Sequence, residues 1–74
     1  MNAAYLRQRV RTMSGNTSVL AELQKLLGLS YNSISHKMSG KREFTQNEID
    51  IIRQKYGLTP EEVVKIFFTK EGEI

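Results

Sequence analysis

The stretch that decides the fold runs from Leu26 to Thr45 and reads LLGLSYNSISHKMSGKREFT. Gly28 is predicted to end one helix, because glycine adopts the left-handed backbone of a helix C-terminus at little cost. Ser30 is a suitable N-cap for the next helix, since its hydroxyl can accept a hydrogen bond from a backbone N–H in the first turn. Leu29 is expected to fill the corner between them. The stretch therefore predicts two short helices that meet across a tight turn, followed by a basic loop.

The second of these helices offers few residues to a core, namely Ile34 and Met38. Its remaining side chains are mostly small or polar and can form hydrogen bonds. A helix with such a face suits the reading of base edges in the major groove of DNA. The pattern predicts a helix-turn-helix that binds DNA sequence-specifically. The side chains expected to contact bases are Tyr31, Asn32, Ser35 and His36.

A second set of residues is expected to contact the DNA backbone, which positions a protein on the duplex without reading its sequence. This set comprises Ser18, Ser30, Ser33, Lys37, Lys41 and Arg42. Three further cations alternate around the first predicted helix, so at most two of them can face the DNA. They are Arg7, Arg9 and Arg11.

Basic and acidic residues are unevenly distributed along the chain. Residues 1–42 contain seven arginines and lysines and one acidic residue, Glu22, whereas residues 43–74 contain four basic and seven acidic residues. The net charge of the whole chain is only +3. A polyanion such as DNA is expected to be attracted to the first half, which contains the predicted helix-turn-helix.

Five helices are predicted within a single domain spanning residues 1–74. They lie at about residues 3–13, 17–27, 31–38, 46–56 and 60–68, and residues 69–74 are expected to form a loose tail. No strand pattern and no internal repeat is found. The sequence therefore predicts an all-α, compact five-helix domain.

Apolar residues recur at helical spacing within these segments. In the first helix the apolar stripe comprises Leu6, Val10 and Met13. In the second helix it comprises Leu20, Leu23 and Leu27.

Asn16 or Thr17 is expected to cap the second helix.

Two capping boxes mark the starts of the last two helices. Each has a threonine N-cap and a glutamate three residues later, which can satisfy two backbone N–H groups reciprocally. The boxes are Thr45 with Glu48 and Thr59 with Glu62. Pro60 occupies the first helical position, where its missing N–H carries no penalty.

The fifth helix contains more apolar side chains than one face of a small domain can bury. Five of its residues from 63 to 68 are apolar. An apolar surface that is not needed for the core usually marks a partner site. The candidate dimer or partner interface comprises Val64, Phe67 and Phe68.

Several classes of function are disfavoured by composition. The chain has no cysteine and only one histidine and one aspartate, so neither a disulfide nor a metal site is expected. It lacks a catalytic constellation and a phosphate-binding glycine loop, so no enzyme activity, cofactor or small-molecule ligand is expected. No run is apolar and long enough for a membrane span or a signal peptide, which predicts a cytoplasmic protein.

The segment LGLSYNSISHKMSGKREFT resembles the Cro/repressor-type helix-turn-helix family, also called the XRE type, most specifically at the turn and from Gly40 to Thr45. The downstream segment KREFTQNEIDIIRQKYGLTPEEVVKIFF is similar to small phage-encoded regulators of Gram-positive hosts. The resemblance covers roughly residues 17–68. It implies a lambda-repressor-like DNA-binding domain whose partner is double-stranded operator DNA.

Two positions depart from the pattern of that family. The family usually has Gln at the start of the second helix, where it anchors a DNA phosphate, and this chain has Leu20 there. It also favours a small Ala in the middle of that helix, where this chain has Gln24. Either the helix begins a turn earlier, with Thr17 or Ser18 in the phosphate role, or two residues are inserted before the turn.

The resemblance implies a Cro-like transcriptional regulator of a phage or prophage switch in a bacterial host cell. Such a protein would act as a homodimer or as a heteromer with a phage repressor. An alternative is a protein-binding modulator, a co-repressor or antirepressor that pairs with a larger phage repressor. The modest net charge and the apolar fifth helix favour that alternative. A DNA-binding antitoxin of a toxin pair is a third interpretation.

Overall fold

The computed structural model describes residues 1–15 and 18–68, and every regular element in these residues is an α-helix. The helices are α1 (Ala3–Ser14), α2 (Val19–Leu27), α3 (Tyr31–Met38), α4 (Gln46–Tyr56) and α5 (Pro60–Phe67). The all-helical prediction is confirmed. The second helix begins at Val19 with Ser18 as its N-cap, two residues later than predicted. The predicted caps Asn16 and Thr17 and the predicted tail at 69–74 lie outside the described residues.

The chain turns from α2 into α3 through Gly28, as the sequence predicts. Gly28 has a φ of 67°, and its N–H donates to the carbonyl of Gln24 at 2.8 Å. The N–H of Leu29 donates to the same carbonyl at 3.2 Å, which satisfies the end of α2 twice. The Ser30 hydroxyl then accepts a hydrogen bond from the N–H of Ser33 at 3.2 Å and caps α3. These local bonds set where α2 ends and where α3 begins.

All five helices contribute to one apolar core. Its largest fully buried side chains are Leu6, Val10, Leu23, Ile34, Ile52, Tyr56 and Ile66. Leu20, Leu27 and Leu29 are partly buried and pack against it. Met13, predicted to belong to the α1 stripe, is 55 % exposed. The buried part of α1 ends at Val10, so the last turn extends beyond the core.

Glu62 joins α5 to α1 while it caps α5. Its Oε1 accepts the N–H of Thr59 at 3.0 Å, and its own N–H donates to the Thr59 hydroxyl at 3.1 Å. Its Oε2 accepts the hydroxyl of Tyr5 at 2.7 Å and forms an ion pair with Arg9. The Thr59 N–H, the Tyr5 hydroxyl and Arg9 together hold the pKa of Glu62 below its ordinary value of 4.5.

The other end of α5 is tied to the first residues of the chain. The N–H of Asn2 donates to the carbonyl of Ile66 at 2.7 Å, and the Asn2 side chain accepts from the N–H of Tyr5 at 3.2 Å. The Arg9 guanidinium also donates to the carbonyl of Tyr56 at 3.1 Å, at the end of α4. α1 is therefore bonded to both of the last two helices. None of the helices in the described ranges has the length and apolar character needed to cross a membrane.

Tyr56 is the largest side chain in the core, and it is 1 % exposed. Its hydroxyl has no hydrogen-bond partner among the residues that the structure describes. Burial, followed by the negative charge of Glu22, raises the pKa of this phenol. A buried hydroxyl without a partner lowers stability, because it loses water without gaining a protein bond.

We expect Tyr56→Phe to raise the free energy of unfolding by about 1 kcal/mol, because it removes the desolvated hydroxyl and keeps the ring. Tyr5→Phe is the matched control. It removes a hydroxyl that donates to Glu62 at 2.7 Å and should lower stability. Urea unfolding followed by circular dichroism measures both. If Tyr56→Phe destabilises the protein as much as Tyr5→Phe does, the hydroxyl of Tyr56 has a bonding role.

Acid should remove the stabilisation that Glu62 provides. Because its folded-state pKa lies below 4.5, that stabilisation is present at neutral pH and is lost as the pH falls through the folded-state pKa. Glu62→Gln, which cannot ionise, should have a lower Tm than the wild type at about pH 7, and the difference should shrink towards about pH 3. Glu61→Gln, at an exposed position of the same turn, should change little at either pH. An equal Tm difference at both pH values would contradict the assignment.

Candidate nucleic-acid interface

α3 is anchored by one face and presents the opposite face to solvent. Ile34 is fully buried and Met38, one turn later, is 3 % exposed. On the opposite side Asn32 is exposed, and Ser35 and His36 are partly exposed. Three of the four residues predicted to contact bases therefore share the outward surface of one helix. This outward surface can form hydrogen bonds and contains no large apolar side chain.

The fourth residue, Tyr31, lies at the edge of that surface. It is three residues before Ile34 and seven before Met38, so it lies on the same side of the helix as these buried residues. Its side chain is nevertheless 56 % exposed, because α3 begins at this residue. The ring lines a groove of about 290 Å³ that lies between α3, the start of α2 and α1. Tyr31 thus lies on the flank of α3 that borders this groove, and not on the outward surface with Asn32 and His36.

Ser30 and Ser33 lie at the start of α3, where they were predicted to contact the DNA backbone. The Ser30 hydroxyl accepts the N–H of Ser33 and donates to the Ser33 hydroxyl at 3.2 Å. Ser18, also predicted to contact the backbone, is exposed at the start of α2 and lines the same groove as Tyr31. The three serines are grouped around the N-termini of α2 and α3.

The loop after α3 is held by the last turn of that helix. The N–H groups of Lys41 and Arg42 both donate to the carbonyl of His36, at 2.9 and 3.2 Å. Gly40 has a φ of 87°, the left-handed conformation that allows this reversal. Both cationic side chains are exposed, and neither has an ion-pair partner within the described ranges. The loop therefore holds the backbone of two cationic residues beside the C-terminal end of α3.

Lys37 corrects one prediction. It was expected at the surface as a contact to the DNA backbone, but it is only 9 % exposed. Its Nζ donates to Glu48 Oε1 at 2.6 Å and to the carbonyl of Glu43 at 3.4 Å. It also lies 5.7 Å from the centre of the Phe44 ring. Lys37 is at i+3 from Ile34 and shares its buried face, so its charge is used inside the protein.

The ion pair with Lys37 also explains the ionisation of Glu48. Burial alone would raise the pKa of this carboxyl. The Lys37 ammonium and the N–H of Thr45, which donates to Oε1 at 2.9 Å, outweigh burial and lower the pKa of Glu48 below its ordinary value. Glu48 is therefore charged at neutral pH, and the pair stays intact there.

The sequence left open which of the three arginines of α1 could face the DNA. Arg7 and Arg11 line the groove that contains Tyr31 and Ser18. They also line a second groove, of about 450 Å³, which reaches Ser39 at the other end of α3. Arg9, between them in sequence, is instead paired with Glu62. The four-residue spacing of Arg7 and Arg11 indicated a shared face, but not which neighbour that face would meet.

The predicted interface on α5 divides into an inner and an outer part. Phe67 is partly buried, and its ring meets that of Phe44 edge to face, with centroids 5.5 Å apart. Phe67 was predicted to lie in the interface; part of its surface remains exposed, beside the groove that Phe68 lines, so this assignment stays a prediction. Val64 and Phe68 are 55 % and 63 % exposed. Phe68 also lines a groove of about 380 Å³ whose other apolar residues include Phe44 and Ile49.

Comparison with known families, with curated proteins and with solved structures finds no match for this chain. Within the residues that the structure describes, no group of three or more potential ligands could hold a metal ion. The clues to function are therefore physical ones, chiefly the outward surface of α3 and the charges around it.

Proposed function

We propose that this protein is a sequence-specific DNA-binding transcriptional regulator of the Cro-like helix-turn-helix type. In this proposal α2 and α3 form the helix-turn-helix, and α3 is the recognition helix that enters the major groove. The observation that carries the proposal is the outward surface of α3. It contains Asn32, Ser35 and His36 on a helix whose opposite face is anchored in the core by Ile34.

The chemistry of this surface matches that of base edges. Asn can form two hydrogen bonds with adenine through N6 and N7, and hydroxyl and imidazole groups can bond to several bases. These side chains are short, so their donors and acceptors stay close to the helix axis. A protein-binding surface of similar size would be expected to contain an aromatic or aliphatic anchor at its centre. The absence of such an anchor from Asn32, Ser35 and His36 favours nucleic acid as the partner of this surface.

The charge around α3 supports the same partner. Lys41 and Arg42 are exposed beside its C-terminal end and are fixed there by the carbonyl of His36. Cations at the edge of a groove-reading helix are suited to bind phosphates, which set the register of the protein on the duplex. Ser18, Ser30 and Ser33 are proposed as weaker backbone contacts. Lys37 is no longer proposed as one, because Glu48 neutralises it.

We further propose that the protein binds as a homodimer. Two recognition helices would then enter successive major grooves about 34 Å apart. The exposed side chain of Phe68 and its groove are the proposed contact. A bacterial cytoplasmic location and a role in a phage or prophage switch complete the proposal, and both are based on the sequence resemblance. Regulation would follow from occupation of a promoter.

Asn32 and Lys41 are predicted to affect DNA binding differently. A preferred duplex is first selected from a random pool, and affinities for it and for a scrambled duplex are measured by fluorescence anisotropy. Asn32→Ala should weaken binding to the selected duplex by about 1–3 kcal/mol and leave the scrambled duplex unchanged. Lys41→Ala should weaken binding to both duplexes similarly and reduce the slope of log K against log salt by about one.

Gln54→Ala is the control for both variants, because Gln54 is exposed on α4 and has no role in the proposed interface. If both Asn32→Ala and Lys41→Ala bind like the wild type, the DNA-binding surface is not the outward surface of α3. If the wild-type protein selects no sequence from the pool, sequence-specific DNA binding by this chain alone is wrong.

A second candidate function is that of a modulator that binds a larger repressor. The observation that favours it is the exposed apolar surface at Val64 and Phe68, which a partner protein could cover as well as a second copy could. The two candidates differ in what the isolated protein does. A dimeric regulator self-associates and binds DNA alone, whereas a modulator requires the repressor.

Phe68→Glu should convert a wild-type dimer into a monomer, because a charge at the contact would be buried without a partner. Sedimentation equilibrium over a range of concentrations measures the mass. Gln54→Glu adds the same charge at an exposed polar position and should leave the dimer intact. An unchanged mass for Phe68→Glu would exclude this residue from the dimer contact, and a monomeric wild type would favour the modulator.

A further inference from the structure

We infer that Arg7, Arg11 and Tyr31 form a second phosphate-binding site, which holds the DNA strand on the α1 side of α3. This inference extends the proposed function and depends on it. The loop with Lys41 and Arg42 lies at one end of α3, and these three residues lie along the flank that faces α1. A helix in the major groove lies between two phosphate backbones, so cations on either side of it can bind phosphates.

Arg7 and Arg11 are one helical turn apart and line the same two grooves. One groove also contains Tyr31 and Ser18, at the start of α3, and the other reaches Ser39, at its end. The two arginines thus follow α3 over most of its length. A single exposed cation beside a helix could bind one phosphate. Two cations in a row along α3 could bind successive phosphates of one DNA strand.

The charge of these two arginines is available to a ligand. Both side chains are exposed, and neither has an ion-pair partner within the described ranges. Arg9 provides the contrast on the same helix. It donates to the carbonyl of Tyr56 at 3.1 Å and is paired with Glu62, so its charge is used in the fold. Of the three arginines on α1, the fold leaves two for an anion.

Tyr31 belongs with these arginines, not with the residues that face the bases. Tyr31 is 56 % exposed and lines the groove that Arg7 and Arg11 also line. A phenol hydroxyl is a good donor to a phosphate oxygen. We therefore assign Tyr31 to the phosphate backbone. Asn32, Ser35 and His36 remain as the candidates for base contacts.

The test compares two double variants that remove the same net charge. Arg7→Gln/Arg11→Gln removes both cations of the proposed site, whereas Lys25→Gln/Lys55→Gln removes two exposed cations that line neither groove. Binding to the selected duplex and to the scrambled duplex is measured across a salt series. Circular dichroism and Tm establish that both variants are folded.

The arginine variant should bind both duplexes at least about tenfold more weakly, because the loss of even one bond to a charged group is worth that factor. Its slope of log K against log salt should be smaller by about two, because each phosphate contact contributes about 0.9. The lysine variant should retain the wild-type slope. Tyr31→Phe should weaken binding to both duplexes by the same factor, as expected for a phosphate contact.

The possible failures can be told apart. If the wild type binds DNA and the arginine variant retains its salt slope, the phosphate site is wrong and the proposed function stands. If Tyr31→Phe weakens binding to the selected duplex only, Tyr31 contacts a base and not a phosphate. If the wild type binds no duplex, the proposed function and this site are both wrong.

Discussion

The ion pair between Lys37 and Glu48 is one of the contacts that hold α3 in place. α3 has eight residues and buries only Ile34, Lys37 and Met38, so it is too short to be stable without its neighbours. Glu48 Oε1 accepts both the Lys37 ammonium at 2.6 Å and the N–H of Thr45 at 2.9 Å. One carboxylate oxygen therefore connects the last turn of α3 to the start of α4. A buried lysine without this partner would be strongly unfavourable.

A second glutamate, Glu62, also combines a helix cap with an ion pair to another helix. Glu62 caps α5 through one oxygen, and through the other it bonds to Tyr5 and Arg9 of α1. In both cases a local N-terminal cap and a long-range ion pair share one carboxylate. The start of each helix and its docking on another helix are therefore coupled. Each of these glutamates was predicted from the sequence only as a helix cap, but each also forms a tertiary contact.

These two ion pairs determine which positive charges remain on the surface. Arg9 and Lys37 are neutralised by glutamates from the acidic second half of the chain. Arg7, Arg11 and the cations of the loop after α3 are left exposed around that helix. The positive charge that the sequence spreads over its first half is thus concentrated, in the fold, around α3. Some basic residues stabilise the domain, and the others surround the surface that we propose for DNA.

Most helix limits could be predicted from the sequence because they depend on local bonds. Gly28, the Ser30 cap and the two threonine–glutamate capping boxes involve residues within four positions of each other, so their geometry is set by the backbone itself. The burial of Ile34 and Met38 and the exposure of Asn32 on α3 followed from the helical period, whereas the burial of Lys37 did not. Local pattern therefore determined the all-helical fold and the choice of Asn32, Ser35 and His36 as candidate base contacts.

Only the tertiary structure decided the partners of individual side chains. Lys37 and Arg9 looked like surface cations until α4 and α5 brought glutamates against them. Met13 continued an apolar stripe, but the core ends before it, and Phe67 rather than Phe68 found an aromatic neighbour in Phe44. These outcomes depend on the angles at which helices distant in sequence pack together. Such angles are set by the sum of all core contacts and are not encoded in any local pattern.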